Sequence, residues 1–394
     1  MSYRLFLLVA LDLLFLLYGV TTICISAKEA HIFYEYKDFL HYLIRVFTYV
    51  FGQNDFALRA PFILFHIFSI SLLYDISGYY LKNEKEKLFT VALFMMLPGV
   101  LSSSLLVNSS SITIFFTLLF VKLFYEKKKK IYYPLLVLLL FVDNSFEILY
   151  LGLFSYAVYK NDKRLASVSA VLFVIILYIY GFDSGGRPRG FFLDTLAMYA
   201  LVFSPLLFLY YFYTMYRILF KGEKSLIWFL SFTALLLSIL LSFRQRIPLS
   251  DFAPFAVIAL PLVVKHFIYS LKVRLPDFQK PYKISLFLTI LFLIINFLFT
   301  YFNKNLYFIL DNPKKHFAYK FHIAKELAQK LKKENINGIG CEDKDLCLRL
   351  KFYGLKLSND YFISQNKDLN NCKKVTISYK SISIASYCVS KLHN

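Results

Sequence analysis

The chain has 394 residues, of which 58% are hydrophobic, and it contains 44 Phe and 31 Tyr. This apolar share is above the range usual for soluble globular domains, so the composition excludes an ordinary soluble enzyme and indicates a polytopic membrane protein. A net charge of +20 would suggest nucleic acid as the partner of a soluble chain. Here the lysines lie in short runs beside apolar segments, where they meet anionic lipid headgroups. We therefore expect membrane lipids, and no nucleic acid, as partners.

Apolar stretches that are long enough, or nearly so, to cross a bilayer predict about eleven transmembrane helices. The two stretches between Ile131 and Tyr159 are too short to cross alone unless the bilayer thins, and dropping both would keep the count odd. The stretches lie at roughly 4–27, 56–81, 88–107, 110–125, 131–142, 146–159, 164–182, 192–218, 225–243, 252–271 and 284–302.

The loops between these stretches predict the orientation. Alternate loops read "KNEKEK", "EKKKK", "KNDKR", "RILFKGEK" and "KVRLPDFQKPYK", which is the pattern of the positive-inside rule with the amino terminus in the cytoplasm. An odd number of spans then places everything after Asn303 on the outer side. We expect a multi-pass protein of the inner (cytoplasmic) membrane, with a transmembrane domain at 1–303 and a periplasmic domain at 304–394.

The last 90 or so residues have a different character. The run "HFAYKFHIAKELAQKLKKENINGIG" has helical spacing and then a stop, whereas "KKVTISYKSISIASYCV" alternates as strands do. We predict a small extracytoplasmic α/β domain.

Four of the five cysteines lie in this domain, and the fifth, Cys24, lies in the first apolar stretch. An even cluster in a small outer domain favours two disulfides, and the spacing does not match that of common zinc sites, which are the rival interpretation. The most local of three connectivities pairs Cys341 with Cys347 and Cys372 with Cys388.

Two outer loops carry paired arginines, although the positive-inside rule does not favour arginine there. They read "LSFRQRIPLSD", with Arg244 and Arg246, and "GGRPRGFF", with Arg187 and Arg189. Guanidinium groups bind phosphate through paired hydrogen bonds, so these loops would suit the phosphate of a lipid carrier. The alternative is that they contact ordinary phospholipid headgroups and mark the membrane boundary.

The first outer segment and the apolar run after it resemble a known family. "GQNDFALRAPFILFHIFSISLLYDISGYYL" is similar to the start of the second span in GT-C glycosyltransferases, such as the protein mannosyltransferases and the aminoarabinose transferases of lipid A. Arg59 matches the family's arginine, Glu29 in "AKEAH" keeps one carboxylate of its acidic pair, and Lys37 in "YKDFL" keeps the lysine of its Lys-Pro-Pro-Leu motif. The chain departs from the family at "LLVNSSSITIFF", where Asn108 replaces the aspartate of the lipid A branch.

The resemblance implies an α-helical GT-C-like fold and an integral membrane glycosyltransferase. Such an enzyme moves a sugar from a polyprenyl phosphate to a lipid, glycan or protein acceptor on the outer face. Glu29 would be the base that deprotonates the acceptor, while Lys37, Arg59, Arg187, Arg189, Arg244 and Arg246 would bind the phosphate. Asp143 and Glu147 in "FVDNSFEILYLG" are candidates for the missing carboxylate.

Purely structural interpretations of these residues remain as alternatives. Glu29 would be an interfacial carboxylate paired with Lys28, and Arg59 a structural anchor. The sequence predicts no convincing metal site. The one alternative is a divalent metal bound by Glu29 together with His31 or His41. Other functions remain for the whole chain: an inactive GT-C relative that binds a lipid phosphate as a scaffold or partner, a lipid or polyprenyl transporter, or a membrane anchor whose outer domain acts.

Overall fold

The computed structural model describes residues 2–181, 190–365 and 372–391 of the chain. Over these residues the backbone is mostly helical, with a small sheet near the carboxyl end. The α-helices are α1 Tyr3–Thr22, α2 Ala27–Tyr34, α3 Phe39–Phe51, α4 Asp55–Ser77, α5 Glu84–Met96, α6 Pro98–Leu105, α7 Ser110–Tyr125, α8 Lys129–Leu139, α9 Phe146–Lys160, α10 Lys163–Tyr180, α11 Phe192–Phe203, α12 Pro205–Lys221, α13 Leu226–Ser242, α14 Leu249–Val257, α15 Leu260–Val273, α16 Pro276–Tyr301, α17 Ala324–Lys333 and α18 Lys344–Phe352. The strands are β1 Gly338–Cys341, β2 Lys356–Ser364, β3 Lys373–Tyr379 and β4 Ile382–Lys391, and short 3₁₀ turns lie at Asn303–Phe308, Pro313–Lys315 and Tyr319–His322.

Within the described ranges, four helices are long and apolar enough to cross a membrane, namely α1, α4, α10 and α16. The number rises to seven if each of three bent helix pairs forms one span. Large apolar side chains lie exposed on these helices, such as Val174 on α10 and Phe287 on α16, each 65% exposed. Such a surface suits lipid rather than water. The helices are typical of a multi-pass membrane protein, but the predicted count of eleven spans is not confirmed.

Bends divide three of the predicted continuous spans. The stretch 192–218 forms α11 and α12, which meet at 108°, and α5 and α6 within 88–107 meet at 62°. Pro205 and Pro98 begin the second helix of each pair, where the missing N–H of proline costs nothing because the first turn leaves that group unpaired. Ser204 adds a left-handed backbone conformation at φ 78°. A hydropathy window averages over such breaks and therefore overlooks them.

The described residues pack into two compact units, and the first, unit 1, includes those of Met1–Leu13, Phe62–Ser104 and Asn108–Phe297. In unit 1, α9 packs against α10 and α13, and α14 packs against α7 and α13. Gly152 permits the close approach of α9 to α13, since a Cβ there would lie 3.1 Å from the Cα of Leu230. Between α1 and α4, His66 Nε2 lies 2.9 Å from Asp12 Oδ2, and both side chains are buried.

The second unit, unit 2, includes the described residues of Leu14–Pro61, Leu105–Val107 and Leu298–Asn394. Its sheet has the strand order β1-β2-β4-β3, with β1 parallel to β2 and the other pairs antiparallel. Side chains of α17, α18 and the sheet form one core that includes Leu327, Leu350 and Ile377. The predicted small carboxyl-terminal sheet is therefore present. Unit 2 also contains chain on both sides of residue 303, where the sequence predicts a domain boundary.

Candidate functional site

Glu29 lies in the first turn of α2, in a capping box with Ser26. The Ser26 hydroxyl accepts from the Glu29 amide at 3.2 Å, and the Ser26 amide donates to Glu29 Oε2 at 2.7 Å. The other carboxylate oxygen, Oε1, accepts from the Val107 amide at 2.9 Å. Glu29 is 2% exposed. The predicted base is thus a buried carboxylate with both oxygens engaged inside unit 2.

Arg59, in the second turn of α4, is fully buried beside Glu29. Its Nη2 lies 3.4 Å from Glu29 Oε2, and its Nη1 lies 3.6 Å from Asp55 Oδ1. The guanidinium also donates to three carbonyls, with distances of 2.7 Å from Nε to Leu105, 3.4 Å from Nη1 to Ile23 and 3.1 Å from Nη2 to Cys24. The structure therefore brings together two residues that the sequence predicts for the site, and it directs the donors of Arg59 at protein groups.

Asp55 extends this network, and sequence reasoning missed it. Its Oδ2 accepts from Lys325 Nζ at 2.7 Å, and its Oδ1 accepts from the Tyr353 hydroxyl at 2.6 Å. The same hydroxyl accepts from the Ile25 amide at 3.0 Å. Burial raises the pKa of Tyr353 above its ordinary value, so the phenol stays protonated and donates. The spacing of Asp55 and Arg59, four residues apart on one helix, was the available sequence signal.

The remaining predicted residue of unit 2, Lys37, lies exposed in the turn between α2 and α3. Among the described residues no carboxylate lies within ion-pair distance of its ammonium. α3 itself buries Ile44 and exposes Val46 and Tyr49, which is the amphipathic pattern of a helix that lies along a membrane surface.

In unit 1, the carboxylates of Asp143 and Glu147 lie where α9 begins. Both are half-buried, and the charges of Asp143 and Asp251 are close enough to act on Glu147. Asp143 Oδ1 accepts from the Ser145 amide at 3.0 Å, which fixes the turn before the helix. Asp251 lies in the first turn of α14, and α14 packs against α9. Three carboxylates thus converge, whereas the sequence predicted two.

Hydroxyl groups hold this end of unit 1 together. The Ser110 hydroxyl at the start of α7 donates to the Ser250 carbonyl at 2.9 Å, and the Ser250 hydroxyl donates to Asp251 Oδ1 at 2.9 Å. Thr113 and Ser145 pair at 3.0 Å. The start of α7, where Ser110 contacts α14 and Thr113 contacts the turn before α9, therefore positions both elements without a carboxylate.

Arg244 and Arg246 are exposed in the loop between α13 and α14. Arg246 lines a cavity of about 250 Å³ together with Asp194 and Thr195 of α11 and Leu249 of α14. Along the chain, Arg246 precedes Asp251 by five residues. Arg187 and Arg189 lie outside the described residues.

The histidines considered as metal donors have other partners. His31 Nδ1 lies 2.6 Å from Glu35 Oε2, and its Nε2 lies 3.0 Å from Asp345 Oδ1 of α18. The hydrogen bond to Asp345, and to a smaller extent that to Glu35, raises the pKa of His31 above 6.5. His41 Nδ1 lies 2.8 Å from the Ile32 carbonyl. Over the part of the chain that the structure describes, no group of three or more His, Cys, Asp and Glu side chains could hold a metal ion.

The predicted cysteine pairs lie at disulfide-bonding distance. The Cα atoms of Cys341 and Cys347 are 5.7 Å apart, and those of Cys372 and Cys388 are 5.4 Å apart. Cys24 is buried and unpaired with another cysteine. The most local connectivity is therefore the one that the fold forms.

Comparison with known proteins identifies one family. Residues 39–182 match the family of dolichyl-phosphate-mannose-protein mannosyltransferases, which belongs to the GT-C superfamily. No curated protein and no solved structure matches the chain. The resemblance to GT-C enzymes is confirmed over the matched segment, which contains Arg59, Asp143 and Glu147 and excludes Glu29. The match supports a membrane glycosyltransferase of the GT-C type.

Proposed function

We propose that this protein transfers a sugar from a polyprenyl phosphate carrier to a lipid, glycan or protein acceptor at the outer membrane face. The observation that carries the proposal is the polar cluster of unit 1. The half-buried Glu147 lies near Asp143 and Asp251, and the exposed Arg244 and Arg246 precede α14. Carboxylates that reach a hydroxyl and cations that reach a phosphate are what this reaction needs.

In the proposed reaction, the acceptor oxygen attacks the anomeric carbon of the donor. The bond from that carbon to the phosphate oxygen breaks, and the polyprenyl phosphate leaves with the bonding electrons. Glu147 takes the proton of the acceptor hydroxyl, and Asp143 orients that hydroxyl. Arg244 and Arg246 stabilise the charge on the departing phosphate.

We assign Glu29 and Arg59 to the internal structure of unit 2 rather than to the chemistry. A general base must come within hydrogen-bond reach of the proton it takes, and both oxygens of Glu29 already accept hydrogen bonds inside unit 2. Lys37, which is exposed, remains a proposed phosphate contact, as do Arg187 and Arg189.

The proposed orientation puts the amino terminus in the cytoplasm of a cell with an inner membrane. Two ion pairs support the assignment of the predicted inner segments to one common side: Arg4 lies 3.9 Å from Glu84, and Lys272 lies 3.3 Å from Glu86. Disulfides in the carboxyl-terminal region fit an oxidising compartment. A reporter fused after Asn394 should be active in the periplasm, and cytoplasmic activity would contradict the orientation.

The decisive experiment separates carrier binding from sugar transfer. Replacing both Arg244 and Arg246 with Gln should weaken binding of a short-chain polyprenyl phosphate in nanodiscs by well over tenfold, since each charge-assisted contact is worth about 1.5–3 kcal/mol. Glu147→Gln should bind the carrier as the parent does and lose transfer from a panel of polyprenyl phosphate sugars. Arg164→Gln with Arg274→Gln removes the same charge elsewhere and is the matched control. Equal carrier binding by the double arginine variant and the parent would refute the phosphate role.

An inactive relative is the second candidate, favoured by Asn108 and the serines after it, where the lipid A branch has an aspartate. If the protein is inactive, the parent should bind polyprenyl phosphate through the same arginines but transfer no sugar from any donor of the panel. In that case Glu147→Gln should change neither measurement.

A further inference from the structure

A second cavity, of about 990 Å³, lies at the opposite end of α9 from Glu147. Glu147 and Lys160 are 13 residues apart on one helix, so at 1.5 Å per residue the two ends are separated by about 20 Å. The walls of this cavity come from the last turns of α7, α9 and α12, from the start of α13 and from residues 262–269 of α15. We call it the basic cavity.

The charge of the basic cavity is strongly one-sided. Its charged lining residues are Lys160, Arg217, Lys221, Lys224, Lys265 and Glu223. Over the described part of the chain, no carboxylate lies within ion-pair distance of any of the five cations. Like charges that converge on one concave surface repel one another and attract an anion.

Aromatic rings hold several of these ammonium groups at the cavity wall. Lys160 and Lys224 lie 5.4 Å and 5.6 Å from the ring of Tyr159, and Lys265 lies 5.8 Å from the ring of Tyr80. Cation–π contacts of this kind restrain a lysine without neutralising it. The lysines are therefore restrained around a shared space that is open to solvent, since Lys160 and Lys265 are also exposed.

An independent feature also points to a ligand. The Nδ1 atom of His266, which lines the cavity, is buried and has no hydrogen-bond partner among the described residues. Buried polar atoms are nearly always satisfied. The hydroxyls of Tyr80 and Tyr125 pair with each other, which leaves one further O–H donor on the same wall.

From this geometry we propose that the basic cavity binds a phosphate ester, either the headgroup of an anionic phospholipid or a soluble phosphate. Ammonium, guanidinium and phenol groups together recognise phosphate oxygens, and the volume is within the range of small-molecule sites. The cavity adjoins loops predicted to face the cytoplasm, so this ligand is distinct from the donor proposed at Glu147. The inference does not rest on sugar transfer.

The test compares two double variants of equal charge change in nanodiscs. Lys221→Gln with Lys224→Gln removes two cavity cations. The control, called the loop variant, is Lys129→Gln with Lys130→Gln, which removes two exposed lysines where the basic segment "EKKKK" enters α8. One arm measures binding of pyrophosphate in zwitterionic nanodiscs by calorimetry. The other measures retention of phosphatidylglycerol over phosphatidylcholine by native mass spectrometry.

We expect the parent to bind in one arm, which identifies the soluble or the lipid source. The cavity variant should bind more than tenfold more weakly and the loop variant less than twofold. Lys221→Arg with Lys224→Arg, which keeps both charges, should bind as the parent does, which separates loss of charge from loss of fold. The inference is overturned if the parent binds in neither arm, or if the cavity and loop variants lose the same affinity.

Discussion

Replacing Arg59 with Met should increase local unfolding where Cys24, α2 and α4 meet, although the two side chains have similar volumes. Arg59 is fully buried, and methionine fills a similar space without the guanidinium. The change removes hydrogen bonds to three backbone carbonyls and ion pairs to two carboxylates. The partners left behind are themselves buried, so water cannot replace the lost contacts freely.

The expected loss follows from these contacts. Removing one member of a buried ion pair costs about 3–5 kcal/mol, because the other charge stays buried. Glu29 and Asp55 keep other donors, so we expect the middle of that range, about 4 kcal/mol. Since about 1.4 kcal/mol is a factor of ten, the local opening equilibrium should rise by about a thousandfold.

Cys24 provides the measurement. It is the cysteine left outside the two bridges, its side chain is buried, and its carbonyl accepts from Arg59. A maleimide should therefore label Cys24 slowly in the parent and about a thousandfold faster in Arg59→Met, if labelling follows local opening.

Arg45→Met is the matched control, because it removes the same charge from an exposed side chain of unit 2 that stacks on Phe33 at 4.4 Å. That contact is worth about 1 kcal/mol, so labelling should rise less than tenfold. If Arg59→Met labels no faster than Arg45→Met, the anchoring role is refuted. Weakened carrier binding with unchanged labelling would instead favour the phosphate role first predicted for Arg59.

Three further outcomes are expected in unit 2. Tyr353→Phe removes the hydroxyl that joins Ile25 to Asp55 and should lower the free energy of unfolding by about 1–3 kcal/mol in a urea titration; no change would mean that water replaces the hydroxyl. The pairing of His31 with two carboxylates raises its pKa above 6.5, so its stabilisation is complete below pH 6.5 and is lost as the pH rises through the raised pKa. Thermal unfolding from pH 5 to 9 should show this loss, at most about 1 kcal/mol for a partly exposed pair, in the parent and not in His31→Gln. Replacing both Cys372 and Cys388 with Ser should cost about 3 kcal/mol, and free thiols at both positions in non-reduced protein would contradict the bridge.

Much of the architecture could be predicted from local patterns. The apolar composition and the alternating basic loops indicate a multi-pass protein, and the strand-like alternation of 373–389 is realised as β3 and β4. The cysteine pairs are 6 and 16 residues apart in sequence, so proximity along the chain already favoured them. The likeness to GT-C enzymes rested mainly on the run 52–81, which lies entirely within the matched segment.

Contacts between distant parts of the chain decided the rest. The partners of Arg59 at Leu105 and Cys24 are 46 and 35 residues away, and Asp55 meets Lys325 across 270 residues. The resemblance to GT-C enzymes singled out Arg59 and Glu29, but a single sequence does not reveal which carbonyls and carboxylates will surround a charge. The convergence of Asp251 on Glu147 likewise depends on how α14 packs against α9. Periodicity and composition reflect interactions between near neighbours, whereas burial and pairing of a charge are set by segments that meet only when the chain has folded.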